Sequence, residues 1–350
     1  MVKRMIIKKI LVVQFYQIGD VLLTTPLIRA LKNEFPDAEI HFCANKLPSK
    51  LLENNPYISK IIINPAKSNE IIKSLKFYLS LKKENYDLVI DTLGTNGTAI
   101  LSYLTAAKFR FGWDLRIRKM FYNIVIPRVG NCYSAKAKLE MMKVFSWNEY
   151  DSTPEIFLTE KDYQKVNQFW KENNFTEEDF IVVVSPFSRR EARRWKLEYF
   201  AELCDLLVEK YNAKVILQYG PGEESYIADI IKRLKKQVYL DPKTNLRELA
   251  ALLEKSSLFI GNDNGPKHIA VAVGTPTITI YGPTNPINWQ PEDTKKHFSL
   301  QDENLPCIKC GARICPKEGS DKMKCMKNIK PQDVLEKVEL VKNTIYPNNE

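Results

Sequence analysis

Short, continuously apolar runs take turns with helix-period segments along this chain, and the pattern is run through twice. No other feature constrains the fold as strongly. A strand that is apolar along its whole length must be covered on both faces, and helices crossing between parallel strands provide that cover. In the first pass, residues 9–13, 38–44, 58–63 and 86–91 read as strands, with 109–112 as a short strand or turn. Helical spacing marks 47–54, 69–84, 98–107 and 135–147, with Ile72, Leu75 and Leu79 sharing one face. Ile28, Leu31 and Phe35 mark another helix, in which Pro26 either opens a first turn or kinks a helix begun at Asp20. The polar stretch 148–159, with Pro154, interrupts the alternation.

The second pass opens with an amphipathic segment at 161–172. Strands are expected at 180–184, 213–219, 238–240, 258–260 and 277–280, and helices at 199–211, 225–236, 246–255, 266–273 and 331–346. The expected fold is α/β, with two Rossmann-like domains whose parallel sheets face across a cleft. The first spans residues 1–155 and the second 156–330, with helix 331–350 packing back onto the first.

A length of 350 residues suits two such domains. No apolar run reaches the length of a membrane span, and the basic first nine residues lack the apolar core of a signal peptide, so the chain is expected in the cytoplasm. The formal net charge of +10 favours anionic company, such as phosphorylated substrates, nucleic acid or an anionic membrane, or else records a lysine-rich surface. Nucleic acid is not expected, because basic and aromatic residues are not interleaved as single-strand platforms require.

The stretch 257–284 compresses strand, Gly-containing turn, helix and strand into one unit. Pro266 follows Asn264 and Gly265 and suits a first helical turn. Free N–H groups at that helix start would face an anion, with Lys267 and His268 adding donors. Neither half carries a dinucleotide Gly-rich fingerprint or a P-loop. Two Rossmann-like halves without those motifs suit a sugar-nucleotide binder, with the diphosphate on the helix start and the acceptor on the first half.

Several pieces along the chain then match one family. They are Ile18-Gly-Asp-Val-Leu-Leu-Thr-Thr-Pro, Tyr86-Asp-Leu-Val-Ile-Asp91, Arg193-Arg-Trp195, Gly261-Asn-Asp-Asn-Gly-Pro-Lys-His268, Tyr281-Gly-Pro-Thr284 and the Cys-containing tail. The chain resembles glycosyltransferase family 9, the ADP-heptose:lipopolysaccharide heptosyltransferases. The resemblance implies a GT-B fold and inverting transfer of heptose from ADP-heptose to a lipopolysaccharide inner-core acceptor. It makes Asp20, beside Gly19, the base on the acceptor hydroxyl; position alone would make it a helix cap. It makes Asp263, Asn264, Gly265, Lys267 and His268 donor contacts, where the bland reading is a cap and a packed histidine. Asn264 replaces the usual Ser or Thr, Lys267 a usual apolar residue, and Arg193 a usual lysine.

Ser185 and Ser188 are expected to reach the diphosphate, and Glu224 the ribose, with Glu223 as the competing register. Gly19, Arg110, Arg116, Arg118 and Lys119 are expected to help hold a phosphorylated, Kdo-bearing lipid acceptor at the anionic inner-membrane surface. The protein is expected to be a monomer and to need no cofactor for its chemistry. Cys307, Cys310, Cys315 and Cys325, within the segment 306–326, form a cluster that leaves open a structural metal, plain thiols or a redox bridge. Other readings are a GT-B enzyme using a different nucleotide sugar and a basic nucleic-acid or lipid-binding protein.

Overall fold

The computed structural model describes residues 6–65, 70–145 and 149–345. The chain divides into two compact units, Met1–Phe157 and Leu158–Glu350.

The first unit runs β1 (Lys9–Val13), α1 (Ile18–Leu22), α2 (Thr25–Glu34), β2 (Glu39–Ala44), α3 (Lys46–Ser49), β3 (Lys60–Ile63), α4 (Ile71–Leu81), β4 (Leu88–Asp91), α5 (Asn96–Leu104), β5 (Phe109–Trp113), β6 (Ile124–Ile126) and α6 (Ser134–Leu139). Its six strands are parallel in the order β3-β2-β1-β4-β5-β6. Strand alternation divides the core cleanly. Ile10, Val12, Ile40, Phe42 and Ile90 meet Leu27, Ile28 and Met141 on one face. Leu11, Val13, Cys43 and Val89 meet Tyr78, Leu81 and Leu101 on the other.

Pro26 opens α2 rather than kinking one long helix. The break before it is held by the Thr24 hydroxyl donating to the Asp20 carbonyl and the Thr25 hydroxyl donating to the Leu22 carbonyl, each at 2.8 Å. The helix expected at 135–147 is a short α6 followed by a 3-10 turn at Glu140–Val144; Trp147 lies outside the described residues. In α4, Ile72, Leu75 and Leu79 do share a face, and it is the solvent face. Tyr78 and Leu81 make the core contact.

The second unit runs α7 (Glu160–Glu172), β7 (Ile181–Ser185), α8 (Leu197–Tyr211), β8 (Lys214–Leu217), α9 (Glu224–Ile231), β9 (Tyr239–Leu240), α10 (Leu246–Glu254), β10 (Leu258–Asn262), α11 (Gly265–Ala272), β11 (Thr277–Ile280), β12 (His297–Leu300), α12 (Lys324–Lys327) and α13 (Pro331–Ile345). Its order, β12-β11-β10-β7-β8-β9, repeats the topology of the first sheet, and every pairing is parallel. The C-terminal helix, expected to pack back onto the first domain, joins the core of the second. Val334, Val338 and Val341 of α13 join the core made by Val182, Val184, Leu258, Ile260 and the α8 residues Phe200, Leu203 and Leu207. Burying each of those valines stabilises by roughly 1.5–3 kcal/mol, which explains its place there.

In both sheets the chain reverses its direction of strand addition between the first and fourth strands. Open α/β sheets bind ligands beyond the carboxyl ends of strands at such a switch point. The two positions are the ends of β1 and β4 in the first unit and of β7 and β10 in the second.

Candidate active site

The site in the second unit is built by side chains that join the β7 and β10 ends. Gly261 pairs with Ser185 across the two strands, and an added Cβ would lie 2.7 Å from the Ser185 carbonyl oxygen, so only glycine fits. Asn262 accepts from the Trp195 backbone at 3.1 Å and donates to the Pro186 carbonyl at 2.6 Å. Asn264 caps α11 by accepting from the Lys267 backbone at 3.1 Å. Its amide nitrogen donates to the Ser185 hydroxyl at 2.9 Å and the Phe187 carbonyl at 3.0 Å, while Ser185 donates to Gln218 at 2.7 Å. Both residues expected as donor contacts are therefore engaged in holding the 186–195 loop against the helix start.

Charge gathers around that helix start. The Asp263 carboxylate is buried 2.7 Å from the Arg193 guanidinium. Lys267 does not project toward a ligand. It is wholly buried, donates to the Trp289 carbonyl and lies 5.9 Å from the Tyr281 ring centre. Burial pulls its ammonium down to about 8, with Asp263 opposing the shift and Arg193 adding to it. Arg190 is held below the usual guanidinium range, first by burial and then by the positive charges of Arg193 and Arg313, with Asp263 opposing. The Nε of Arg193 is buried without a protein partner, as is the hydroxyl of Thr284 beyond β11. Arg193, Arg190 and Lys267 outnumber that carboxylate, and a helix start with this excess of positive charge is complementary to a polyanion. Arg190, Arg313 and Thr284 were not among the site residues read from sequence.

The other expected residues take varied places. His268 is buried edge-on against Trp289, with ring centres 5.9 Å apart. Ser188 is buried, and its carbonyl accepts from Arg194 at 2.6 Å. Arg194 lies 4.4 Å over the Phe187 ring, so this arginine braces the loop while Arg193 faces the carboxylate. Glu223 closes its turn by accepting from the Gly220 backbone at 2.8 Å, and burial raises its carboxyl. Glu224, the preferred register, stands exposed at the start of α9.

In the first unit, Gly19 is buried and Asp20 half-buried in the first turn of α1, beyond the carboxyl end of β1. Beneath it lies Lys138, a buried residue the sequence reading passed over. Its ammonium donates to the Asp20 carbonyl at 3.0 Å; burial pulls it down to about 8, against the attraction of the Asp20 charge. At the end of β4, the buried Asp91 accepts from the backbones of Leu93 and Gly94, both at 2.9 Å, and from the Tyr122 hydroxyl at 2.7 Å.

The expected basic group is divided. Arg110 donates to the carbonyls of Ala107 and Phe121, which precede β5 and β6, so it sits at the amino edge of the sheet, away from Asp20. Arg118 donates to the Gly94 carbonyl beyond β4, at the Asp20 edge. Lys119 pairs with Asp114 at 3.2 Å, and Arg116 is exposed.

Cys307, Cys310, Cys315 and Cys325 do line one cavity, with Ala192, Pro283 and Met323. All four are free, and burial followed by the other three sulfurs pushes Cys325 up to about 11. Among the described residues, no three His, Cys, Asp or Glu side chains are arranged to hold a metal ion.

Two Rossmann-type units of this topology make up a GT-B fold. The model for glycosyltransferase family 9 (heptosyltransferase) matches residues 74–318, and the chain belongs to that family. Asp20 precedes the matched segment. Lipopolysaccharide heptosyltransferase 1 of Campylobacter coli is 26% identical over 345 residues, covering 95% of this chain and 98% of that protein. The crystal structure of a family 9 glycosyl transferase from Veillonella parvula superposes with a TM-score of 0.82 at 22% identity, covering 95% of this chain and 97% of that one. The E. coli heptosyltransferase WaaC, solved with ADP, superposes with a TM-score of 0.69 at 19% identity, covering 95% and 97%.

Proposed function

We propose that this glycosyltransferase moves heptose from ADP-heptose to an inner-core lipopolysaccharide acceptor, inverting the anomeric carbon. The observation that carries the donor side is the cationic helix start, with the buried, unpartnered Nε of Arg193. There the α11 backbone N–H groups, Arg193 and Arg190 stabilise the charge that grows on the departing diphosphate. Asp20 takes the proton of the acceptor hydroxyl as its oxygen attacks the anomeric carbon. The bond to the diphosphate breaks on the opposite face, and ADP leaves with both bonding electrons. No cofactor enters these steps.

The acceptor is a phosphorylated, Kdo-bearing lipid met by a monomer at the cytoplasmic face of the inner membrane. Of the basic group, Arg116, Arg118 and Lys119 help to hold it, and Arg110, at the amino edge of the sheet, takes no part. Asp20→Asn should lower transfer by about 10²–10⁴-fold with folding intact. Near-normal transfer by that variant rejects the base. Thermal-shift titration with ADP-heptose against UDP- and GDP-sugars tests the donor, a larger shift from another nucleotide sugar overturning it. Metal analysis of the purified protein beside Cys307→Ser tests whether the cysteine cavity takes a structural metal.

A further inference from the structure

We infer that the α4 face of the first unit docks on an anionic lipid bilayer, with α4 lying in the membrane surface. The inference rests on the proposed function in one respect, that the acceptor is carried by a lipid.

The orientation of α4 is the starting observation. Ile71 is 70% exposed, Ile72 73%, Leu75 40% and Leu79 52%. Spaced i, i+1, i+4 and i+8, they form one stripe along the helix. A helix on a soluble sheet ordinarily turns such a stripe inward. Here Tyr78 and Leu81 make the core contact and the larger aliphatic stripe is presented outward.

Further apolar side chains are exposed at the carboxyl edge of the same sheet. Tyr16, Leu47 and Ile63 are also exposed, and they stand at or just beyond the ends of β1, β2 and β3. Because the three strands are parallel and adjacent, these ends share the carboxyl edge of the sheet. The first turn of α4 lies at that edge, and so does Asp20 after β1. An acceptor presented by a membrane against this corner would arrive on the edge that carries the proposed base.

Charge identifies the occupant. The sequence of α4, Ile-Ile-Lys-Ser-Leu-Lys-Phe-Tyr-Leu-Ser-Leu, contains no acidic residue. Lys73, which pairs with the N-cap Glu70 at 3.3 Å, and Lys76, Lys82 and Lys83 are exposed on it or at its end, and Lys46 flanks Leu47. An apolar stripe fringed by lysines matches the bilayer interface, where aliphatic side chains enter the acyl boundary and lysines meet anionic headgroups. A protein partner or a second copy would have to supply acidic groups around an equally apolar face.

The test uses the full chain. Flotation is measured with vesicles of phosphatidylcholine alone and of phosphatidylcholine mixed with phosphatidylglycerol. The variants are Ile71→Ser/Ile72→Ser/Leu75→Ser and, separately, Lys73→Glu/Lys76→Glu. All five positions are exposed, and circular dichroism checks folding. The wild type should bind the anionic vesicles, and each variant should lose about tenfold or more in affinity. Transfer to a soluble, delipidated acceptor should be unchanged in both variants.

Equal binding by the variants, or equal binding of the wild type to neutral vesicles, overturns the inference. So does light scattering that shows a dimer dissolved by the serine variant without any vesicle binding. A protein that floats as expected but transfers heptose to no acceptor rejects the proposed function and leaves the docking surface standing.

Discussion

Lys138 and Lys267 are buried lysines, one beneath each half of the candidate site. Each keeps its charge by donating to a main-chain carbonyl, of Asp20 and Trp289 respectively. Burial lowers both from an ordinary 10.5 to about 8. Between those values the unfolded chain binds more protons than the folded one, so stability should rise as pH rises from about 8 to 10.5. Each lysine accounts for about 3 kcal/mol of that rise. Lys138→Met should remove its share, read from denaturant unfolding at a series of pH values; an unchanged slope over that window would refute the assignment. Under the proposed function Arg193 acts on charge in another way, by reaching the donor diphosphate. Arg193→Gln should lower kcat/KM for the donor by about 10²-fold, and Arg193→Lys by less, since a lysine keeps the charge but not the planar fork. Initial rates over a range of donor concentration check both.

At the scale of elements, the second unit depends on one ion pair that ties two helices. Arg247 of α10 donates to both carboxylate oxygens of Asp162 in α7, at 2.9 and 2.7 Å. Burial works against the Asp162 charge, yet the Arg247 and Thr159 hydrogen bonds outweigh it and hold the carboxyl below its usual range. Asp162 also accepts from the Thr159 backbone at 2.8 Å, so one carboxylate caps α7 and anchors α10. Asp162→Ala should cost about 3–5 kcal/mol, because the buried Arg247 would lose the carboxylate that two of its donors meet. Thermal unfolding measures this, and a loss below 1 kcal/mol on the order of a surface pair would refute it.

For the molecule as a whole, the repeated topology assigns different work to two equal scaffolds. If ADP binds at the α11 start, its protection should be confined to the second unit. Hydrogen exchange with saturating ADP should slow at 185–194 and 263–268 and leave the first unit unchanged. ADP at 100 times its Kd should add about 2.7 kcal/mol to the stability of the state that binds it. Protection centred on residues 14–20 instead would move the nucleotide to the other unit.

Much of this architecture was legible in the residues. Runs such as Ile10 to Val13 and Val182 to Val184 are apolar on both faces, and only the interior of a parallel sheet accommodates them. Asp20 and Asp263 were locatable because turn residues mark where each strand gives way to a helix. The edge strands β6 and β12 escape the sequence reading: β6 has three residues, and β12, His-Phe-Ser-Leu, is not an apolar run. The α4 stripe was visible, but a period reveals that a face is apolar and not which way it turns. Contacts distant in sequence were out of reach. Lys138 meets Asp20 across 118 residues and Arg193 meets the Asp263 carbonyl across 70, and nothing near either residue announces its partner. Local periodicity and turn chemistry determine which elements form. Which charges they bury together, and at which edge, is decided only when the whole sheet has packed.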